Sequence, residues 1–98
     1  MHANVYTIAV LPAKEGSVDE LLKELETLAR ETRQEHGCIE YGFYRDSSDT
    51  NTVLSYERWL DQDAEDAHWE TAHLKHAISA MDRLLSEKPQ IFKTTKII

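Results

Sequence analysis

The spacing of hydrophobic residues predicts a strand and then a long helix at the start of the chain. Residues 5–11 are rich in β-branched and aromatic side chains, which predicts a strand with apolar groups on both faces. Leucines then recur at helical spacing as far as His36 and Gly37, and Gly37 is typical of a left-handed helix end. Ser17 and Glu20 have the spacing of a capping box at the start of this helix.

Two strands of alternating polarity follow this helix. In the first of them, residues 38–45, one face is predicted to carry Ile39, Tyr41 and Phe43, and the other Cys38, Gly42 and Tyr44. Residues 46–51 form a polar turn that returns the chain antiparallel. The strand over residues 52–59 then places on one face Val53, Ser55, Glu57 and Trp59, and on the other Leu54, Tyr56 and Arg58.

The rest of the chain predicts a second helical region and a last strand. Asp61 or Asp63 can cap a short helix that runs through Thr71. A second helical segment begins at about His73 and stops at Lys88 and Pro89. Residues 91–98 alternate well enough to form a fourth strand.

This order, β-α-β-β-α-β, predicts an α+β ferredoxin-like fold with a four-stranded antiparallel sheet and both helices on one face. With 98 residues the chain forms one domain, residues 1–98. The first two strands carry apolar residues on both sides, so the uncovered sheet face would be a large apolar patch. We therefore expect a homodimer in which two sheets face each other.

Charge and composition exclude several classes of partner. The net charge of −7, with 18 acidic and 11 basic residues, leaves no basic stripe for a nucleic acid. No segment approaches the ~20 apolar residues of a membrane span. The single cysteine, Cys38, excludes an internal disulfide and is expected to be a small buried residue. We expect a cytoplasmic protein, because the N-terminus also lacks the pattern of a signal peptide.

Rare residues with useful chemistry gather in residues 52–76, which hold both tryptophans and three of the five histidines. A histidine beside aromatic walls has the pKa range needed to remove a proton from a phenol or an enol. Tryptophan side chains give flat apolar walls for a planar guest. The candidates for such a site are Glu57, Trp59, His68, Trp69 and His73. The competing interpretation is that they are core residues of a small domain.

The two histidines meet only if their helix is broken. Five residues turn a continuous helix by about 500°, which leaves His68 and His73 about 140° apart. The two helical segments predicted above make a break near Glu70 and Thr71 plausible. If the helix runs straight, only His68 is expected in the site.

Metal and nucleotide sites are not expected. His73 with His76, and His68 with Glu65, have i,i+3 spacing, but neither pair matches the zinc helix of metalloproteases. Glu65 and Asp66 are interpreted as part of a solvated helix face. The sequence also lacks a glycine-rich loop that would hold the phosphates of a nucleotide or flavin.

Several motifs in this order resemble the antibiotic biosynthesis monooxygenase domain family, including its small quinol monooxygenases, over nearly the whole chain. The matching segments are Pro12-Ala13-Lys14-Glu15-Gly16, Glu35-His36-Gly37-Cys38-Ile39-Glu40-Tyr41, Tyr56-Glu57-Arg58-Trp59, Asp61-Gln62-Asp63-Ala64 and His68-Trp69-Glu70-Thr71-Ala72-His73. The resemblance implies a dimeric α+β barrel made of two ferredoxin-like subunits. It also implies oxygenation of a small aromatic substrate by dioxygen without metal, haem or flavin, the deprotonated substrate giving an electron to dioxygen.

The resemblance also suggests roles for individual residues. His68 and His73 would be the proton acceptor and its partner. Trp59 and Ser55, with Glu57 and Trp69, would line the substrate pocket, and Tyr44 or Arg45 would lie at its rim. Haem-degrading relatives carry an asparagine on the first strand where this chain has Ala9, so haem degradation is not expected.

Two other functions remain open at this point. One is an isomerase of a small keto compound that uses the same histidines; an anionic substrate would then need Arg58 or Arg45 to point inward. The other is a module that binds an aromatic ligand without chemistry. Histidines fully satisfied by backbone hydrogen bonds in a closed pocket would favour that module.

Overall fold

The computed structural model describes residues 3–98, which form four strands and three helices. In chain order these are β1 (Val5–Pro12), α1 (Val18–Thr32), β2 (Cys38–Arg45), β3 (Thr52–Trp59), α2 (Gln62–Trp69), α3 (Ala72–Leu84) and β4 (Gln90–Thr94). All strand pairs are antiparallel, in the order β2-β3-β1-β4. The predicted ferredoxin-like architecture is confirmed. Within residues 3–98 no helix has both the length and the apolar content needed to cross a membrane.

One face of the sheet is covered by the helices, and its side chains alternate with those of the other face. On β1 the buried side chains are Val5, Thr7, Ala9 and Leu11. On β3 they are Val53, Ser55, Glu57 and Trp59, the four residues that the alternation placed together on one face. Leu21, Leu25 and Leu28 of α1 and Leu74, Ala77 and Met81 of α3 complete the core.

In the described part of the chain, residues 3–98, no helix lies over the other face of the sheet. Ile8 of β1 lies between Tyr56 of β3 and Phe92 of β4 in the strand register. The rings of Tyr44 and Tyr56 meet edge to face, with centroids 5.2 Å apart. Tyr44 is 52% exposed and Phe92 49% exposed, so this face presents large apolar and aromatic groups to its surroundings.

β2 departs from the predicted alternation at its start. The register with β3 shifts between Cys38 and Glu40, so one extra residue is accommodated there. Ile39 is consequently 48% exposed, and its predicted place beside Tyr41 and Phe43 is wrong. Beyond the shift, Tyr41 is buried and Phe43 packs against the same core, so these two share a face as predicted.

The start of α1 differs from its prediction, because no capping box forms. The Ser17 side chain makes no capping hydrogen bond, and its backbone is not extended as a side-chain cap requires. Glu20 instead pairs with Arg83 of α3. The start of α1 is therefore tied to the end of α3 by an ion pair across the two helices.

The end of α1 is also earlier than predicted. α1 ends at Thr32, and residues 33–37 form successive turns rather than helix. Gly37 has φ +83° in the last turn, and a Cβ there would lie 2.5 Å from the Cβ of Ala64 on α2. These turns carry Glu35 toward α2.

The last two elements are shorter than predicted. α3 ends at Leu84, before Lys88 and Pro89, because Leu85 turns to extended backbone and bridges to Ala13. β4 covers Gln90–Thr94 only, paired with β1 along one edge of the sheet.

Candidate active site

A cavity of about 240 Å³ lies between the covered face of the sheet and the helices. Its lining residues are Thr7, Ala9, Leu11, Leu28, Tyr41, Phe43, Ser55, Glu57, His68, Trp69, Leu74, Ile78, Met81, Pro89 and Ile91. Ile78 and Ile91 are 38% and 37% exposed, which marks the entrance between α3 and β4. The volume lies just below the ~300–1,000 Å³ of ordinary ligand sites, so it suits a small, flat and mostly apolar guest.

His68 borders this cavity and is held from behind by Glu35. Its side chain is 2% exposed, and its Nδ1–H donates to Oε2 of Glu35 over 2.7 Å. The other ring nitrogen, Nε2, has no hydrogen-bonding partner among the described residues. Burial lowers the pKa of His68, and the hydrogen bond to Glu35 opposes that shift.

His73 reaches the same carboxylate from α3. Its Nε2 lies 2.7 Å from Oε2 of Glu35, and the centroids of the two imidazole rings are 6.3 Å apart. The predicted break between the helices is confirmed, since α2 ends at Trp69 and α3 starts at Ala72. Thr71 caps α3 by accepting from the backbone N–H of Leu74. His68 lines the cavity, whereas His73 does not.

Aromatic rings surround His68 on three sides. The ring of Trp59 is tilted over it with centroids 4.7 Å apart, and the Tyr41 and Trp69 rings stand edge to face at 5.4 and 6.3 Å. Trp59 is fully buried and lies behind the cavity wall. Trp59 therefore supports the site rather than lining it.

Glu57 is the second titratable group in the cavity. Ser55 Oγ donates to its Oε2 over 2.7 Å, and Trp59 Nε1 donates to its Oε1 over 3.1 Å. Burial raises the pKa of Glu57 to about 7, because the two hydrogen bonds only partly offset the loss of solvent. Near neutral pH this side chain can therefore either accept or donate a hydrogen bond inside the cavity.

Glu65 is fully buried, so its interpretation as a solvated residue is wrong. Its Oε2 accepts from Trp69 Nε1 over 2.7 Å and from Thr7 Oγ1 over 3.3 Å. Lys93 of β4 lies 3.4 Å from its other oxygen and over the Trp69 ring. Glu65 thus fixes Trp69, one wall of the cavity, to β1 and β4.

Tyr44 and the arginines lie away from the cavity. Tyr44 is on the uncovered sheet face, so the structure does not support its predicted place at the pocket rim. Arg58 donates to Asn4 Oδ1 on that same face. Arg45 is exposed at the end of β2. Neither arginine lines the cavity.

Glu35 was not predicted as a site residue. The sequence placed it near the end of a helix that was predicted to stop at His36 and Gly37. The one sequence feature that included Glu35 was the segment from Glu35 to Tyr41 that resembles the family, and that resemblance indicated the fold rather than a role for Glu35.

Burial, with help from the negative charge of Glu35, raises the pKa of the neighbouring Cys38 thiol to about 11. Cys38 is therefore a thiol at neutral pH, and nothing here activates it.

Comparison with known proteins identifies one family. The sequence model described as antibiotic biosynthesis monooxygenase matches residues 4–80. An uncharacterised protein of Synechocystis is 33% identical over 87 residues, which cover 89% of this chain and 58% of that protein. The chain thus spans little more than half of that relative. YcnE of Bacillus subtilis, which carries a provisional monooxygenase name, is 29% identical over 88% of this chain and 90% of its own.

Solved structures give the same fold. PA3566 of Pseudomonas aeruginosa is similar with a TM-score of 0.91 and 26% identity, covering 100% of this chain and 98% of that one. A conserved protein of Methanosarcina mazei is similar with a TM-score of 0.93 and 25% identity, covering 97% and 94% of the two chains. The names of these two proteins state no activity.

Proposed function

Since this chain belongs to the antibiotic biosynthesis monooxygenase family, we propose that it is a monooxygenase that oxidises a small quinol-like or polyphenolic molecule with dioxygen. The observation that carries the proposal is the hydrogen bond from His68 Nδ1 to Glu35, which orients a histidine at the wall of an apolar cavity. The provisional name of YcnE agrees with this reaction class.

His68 is the general base of the proposed reaction. A neutral imidazole has one N–H, and donation of that proton from Nδ1 to Glu35 leaves a lone pair on Nε2. A phenol or enol in the cavity can give its proton to this nitrogen. Glu35 then stabilises the imidazolium that forms, because its carboxylate lies 2.7 Å from Nδ1.

The substrate anion supplies the electrons. It transfers one electron to dioxygen, and the resulting substrate radical and superoxide combine at a ring carbon that carries hydrogen. Loss of water from the hydroperoxide leaves a new carbonyl group. One atom of dioxygen enters the product and the other leaves as water, so the reaction needs no further reductant.

The cavity fits this type of substrate. Phe43, Leu28 and Met81 give apolar walls for a planar ring, and Trp69 is held in place by Glu65. Glu57 gives one polar point on the sheet side, where it can hydrogen-bond a second hydroxyl of a quinol. A small apolar cavity also favours dioxygen, which has no charge to solvate.

The two rival functions have less support from this site. An isomerase acting on an anionic compound would need a cation at the cavity, whereas Arg45 and Arg58 lie elsewhere. A pure binding module is favoured by histidines satisfied by backbone groups. Here His68 instead engages a carboxylate side chain, as a base in an enzyme does.

We also propose that the chain forms a homodimer through the uncovered face of the sheet. The exposed rings of Tyr44, Tyr56 and Phe92 and the half-buried Ile8 form one apolar and aromatic surface there. Such a surface is larger than single exposed residues and is typical of a protein interface. A second copy of the same sheet offers a matching surface under two-fold symmetry.

Labelled dioxygen tests the reaction class. The protein is incubated with a reduced naphthoquinol under ¹⁸O₂, and the product is analysed by mass spectrometry. We expect one ¹⁸O atom in the product and one in water for each turnover. A product that contains no ¹⁸O, or labelled product that forms no faster than in a control without the protein, would argue against a monooxygenase.

A further inference from the structure

We propose that Glu35, His68 and His73 form a binding site for one divalent cation of the zinc class, reached from the surface opposite the cavity. The three candidate ligand atoms lie within 4.8 Å of one another. Glu35 comes from the turns after α1, His68 from α2 and His73 from α3. Each pair considered from the sequence has only one member in this cluster. His76, the partner considered for His73, is 75% exposed beside Glu24, and Glu65, the partner considered for His68, binds Trp69 instead.

The donor set suits a borderline metal ion. Two imidazole nitrogens and one carboxylate oxygen are the ligands of known three-residue zinc sites, which leave a fourth position open. Hard ions such as Mg²⁺ and Ca²⁺ prefer sites built mostly from oxygen atoms. The composition of the cluster therefore favours Zn²⁺, with Co²⁺ as a spectroscopic substitute.

The three ligand atoms must shift to hold a tetrahedral ion. Both nitrogens are 2.7 Å from Oε2 of Glu35, which is hydrogen-bond spacing. Ligand atoms around a tetrahedral zinc with bonds of about 2.0–2.1 Å lie roughly 3.3 Å apart. Glu35 must therefore move away from the two nitrogens by about half an ångström, and the nitrogens, which lie within 4.8 Å of each other, must reach the same spacing. Glu35 belongs to a turn rather than to a helix, and turns adjust more easily.

A separate pocket gives the ion a way in. Glu35 lines a pocket on the outer surface together with Asp61, Asp63 and Thr71. His68 and the other residues of the substrate cavity are not part of that lining. The acidic side chains, on a chain of net charge −7, attract a cation toward the cluster.

Metal binding at this place would switch off the base, an effect that rests on the proposed function. A metal on Nδ1 of His68 uses the lone pair of that nitrogen. The single proton of the neutral ring then resides on Nε2, which faces the substrate as a donor and has no lone pair to accept a proton. Zinc is thus expected to inhibit oxygenation without entering the cavity.

Calorimetric titration of the metal-stripped protein with ZnCl₂ tests the site. We expect one Zn²⁺ per chain, and His73→Asn is expected to weaken binding by more than about tenfold, because loss of even an outer-shell partner costs 10–100-fold. His73 is 24% exposed, so this variant is expected to fold. His76→Asn is the matched control, since His76 also lies on α3 and pairs with a carboxylate, Glu24 of α1, but is outside the cluster.

Two results would overturn the site: no stoichiometric zinc binding, or equal affinity in wild type and His73→Asn. Co²⁺ gives a second readout, because a bound four-coordinate ion shows visible absorption that His73→Asn should abolish. Oxygen uptake with and without ZnCl₂ then tests the inhibition. Zinc binding without any oxygen uptake would contradict the proposed function alone, whereas oxygen uptake by a protein that binds no zinc would contradict only the metal site.

Discussion

The carboxylate of Glu35 and the imidazole of His68 lie 33 residues apart in sequence and are joined by a 2.7 Å hydrogen bond. The bond crosses from the turns after α1 to α2, so the fold itself sets the orientation of the ring. It engages Nδ1 and leaves Nε2 at the cavity side. The position of one turn thereby determines which nitrogen of His68 meets a substrate.

Replacing Glu35 tests this orientation. Glu35→Gln removes the charge that stabilises a protonated His68, and we expect kcat to fall at least about tenfold, since a positioned base contributes 10²–10⁴-fold. Steady-state oxygen uptake measures the effect. Glu31→Gln, at an exposed position of α1, is the control and should leave kcat unchanged. Equal rates for wild type and Glu35→Gln would remove Glu35 from the mechanism.

Glu57 is expected to make stability depend on pH. Its pKa is about 7 in the folded protein against 4.5 ordinarily, so between these values the folded state holds a proton that the unfolded state releases. Stability therefore falls as pH rises from about 4.5 to 7. Glu57→Gln removes this cost, because the amide oxygen can accept from Trp59 and the amide nitrogen can donate to Ser55 Oγ, which reverses the hydrogen bond that Ser55 makes to Glu57. We expect the variant to be more stable at pH 8 by on the order of 1–3 kcal/mol.

Denaturant unfolding of wild type and Glu57→Gln at pH 4.5 and at pH 8 measures this difference. Glu40→Gln, an exposed position on β2, serves as the control for removal of one surface charge. If wild type and Glu57→Gln lose the same amount of stability between pH 4.5 and pH 8, protonation of Glu57 does not cause the pH dependence of stability.

The two positive-φ glycines form a matched pair for testing the turn that carries Glu35. Gly16→Ala at φ +81° meets open space, so we expect a cost of about 1–2 kcal/mol from the backbone alone. Gly37→Ala at φ +83° adds a contact of 2.5 Å with Ala64, so its cost should be larger by about 1–3 kcal/mol. Urea unfolding compares them. Equal costs would show that the turn does not pack against α2 as closely as described.

The proposed dimer predicts a mass of twice 11.3 kDa by light scattering at micromolar concentration. Tyr56→Asp places a charge at the centre of the uncovered sheet face and should shift the protein toward monomer, because a buried unpaired charge costs several kcal/mol. Lys75→Asp, on the exposed side of α3, is the control. A wild-type protein that is monomeric under these conditions contradicts the dimer.

The elements that depend on local pattern were predictable from the sequence. Alternation in β3 placed Ser55 and Trp59 on the same face, as found, and the helix breaks near Glu70 and Thr71, where the two predicted segments met. The missed features arise from contacts between distant segments. Ile39 turns outward because of a register shift against β3, which no local pattern encodes.

The acidic site residues were the hardest to predict. Glu65 was interpreted as part of a solvated helix face and Glu35 was not singled out, yet both are held in the fold by partners from other elements. Their burial follows from tertiary packing: a carboxylate is buried only where donors such as Trp69 Nε1 meet it. His68 and His73 were candidates because of residue type, whereas the carboxylate that joins them was visible only in three dimensions.

The central claim is that His68 removes the proton that starts oxygenation. Oxygen uptake with a panel of reduced quinols, measured for wild type, His68→Gln and the exposed control His76→Gln, tests it most directly. We predict that kcat falls by about 10²–10⁴-fold in His68→Gln, with an unchanged circular dichroism spectrum, while His76→Gln keeps the wild-type rate. A folded His68→Gln protein that consumes oxygen at the wild-type rate would contradict the account.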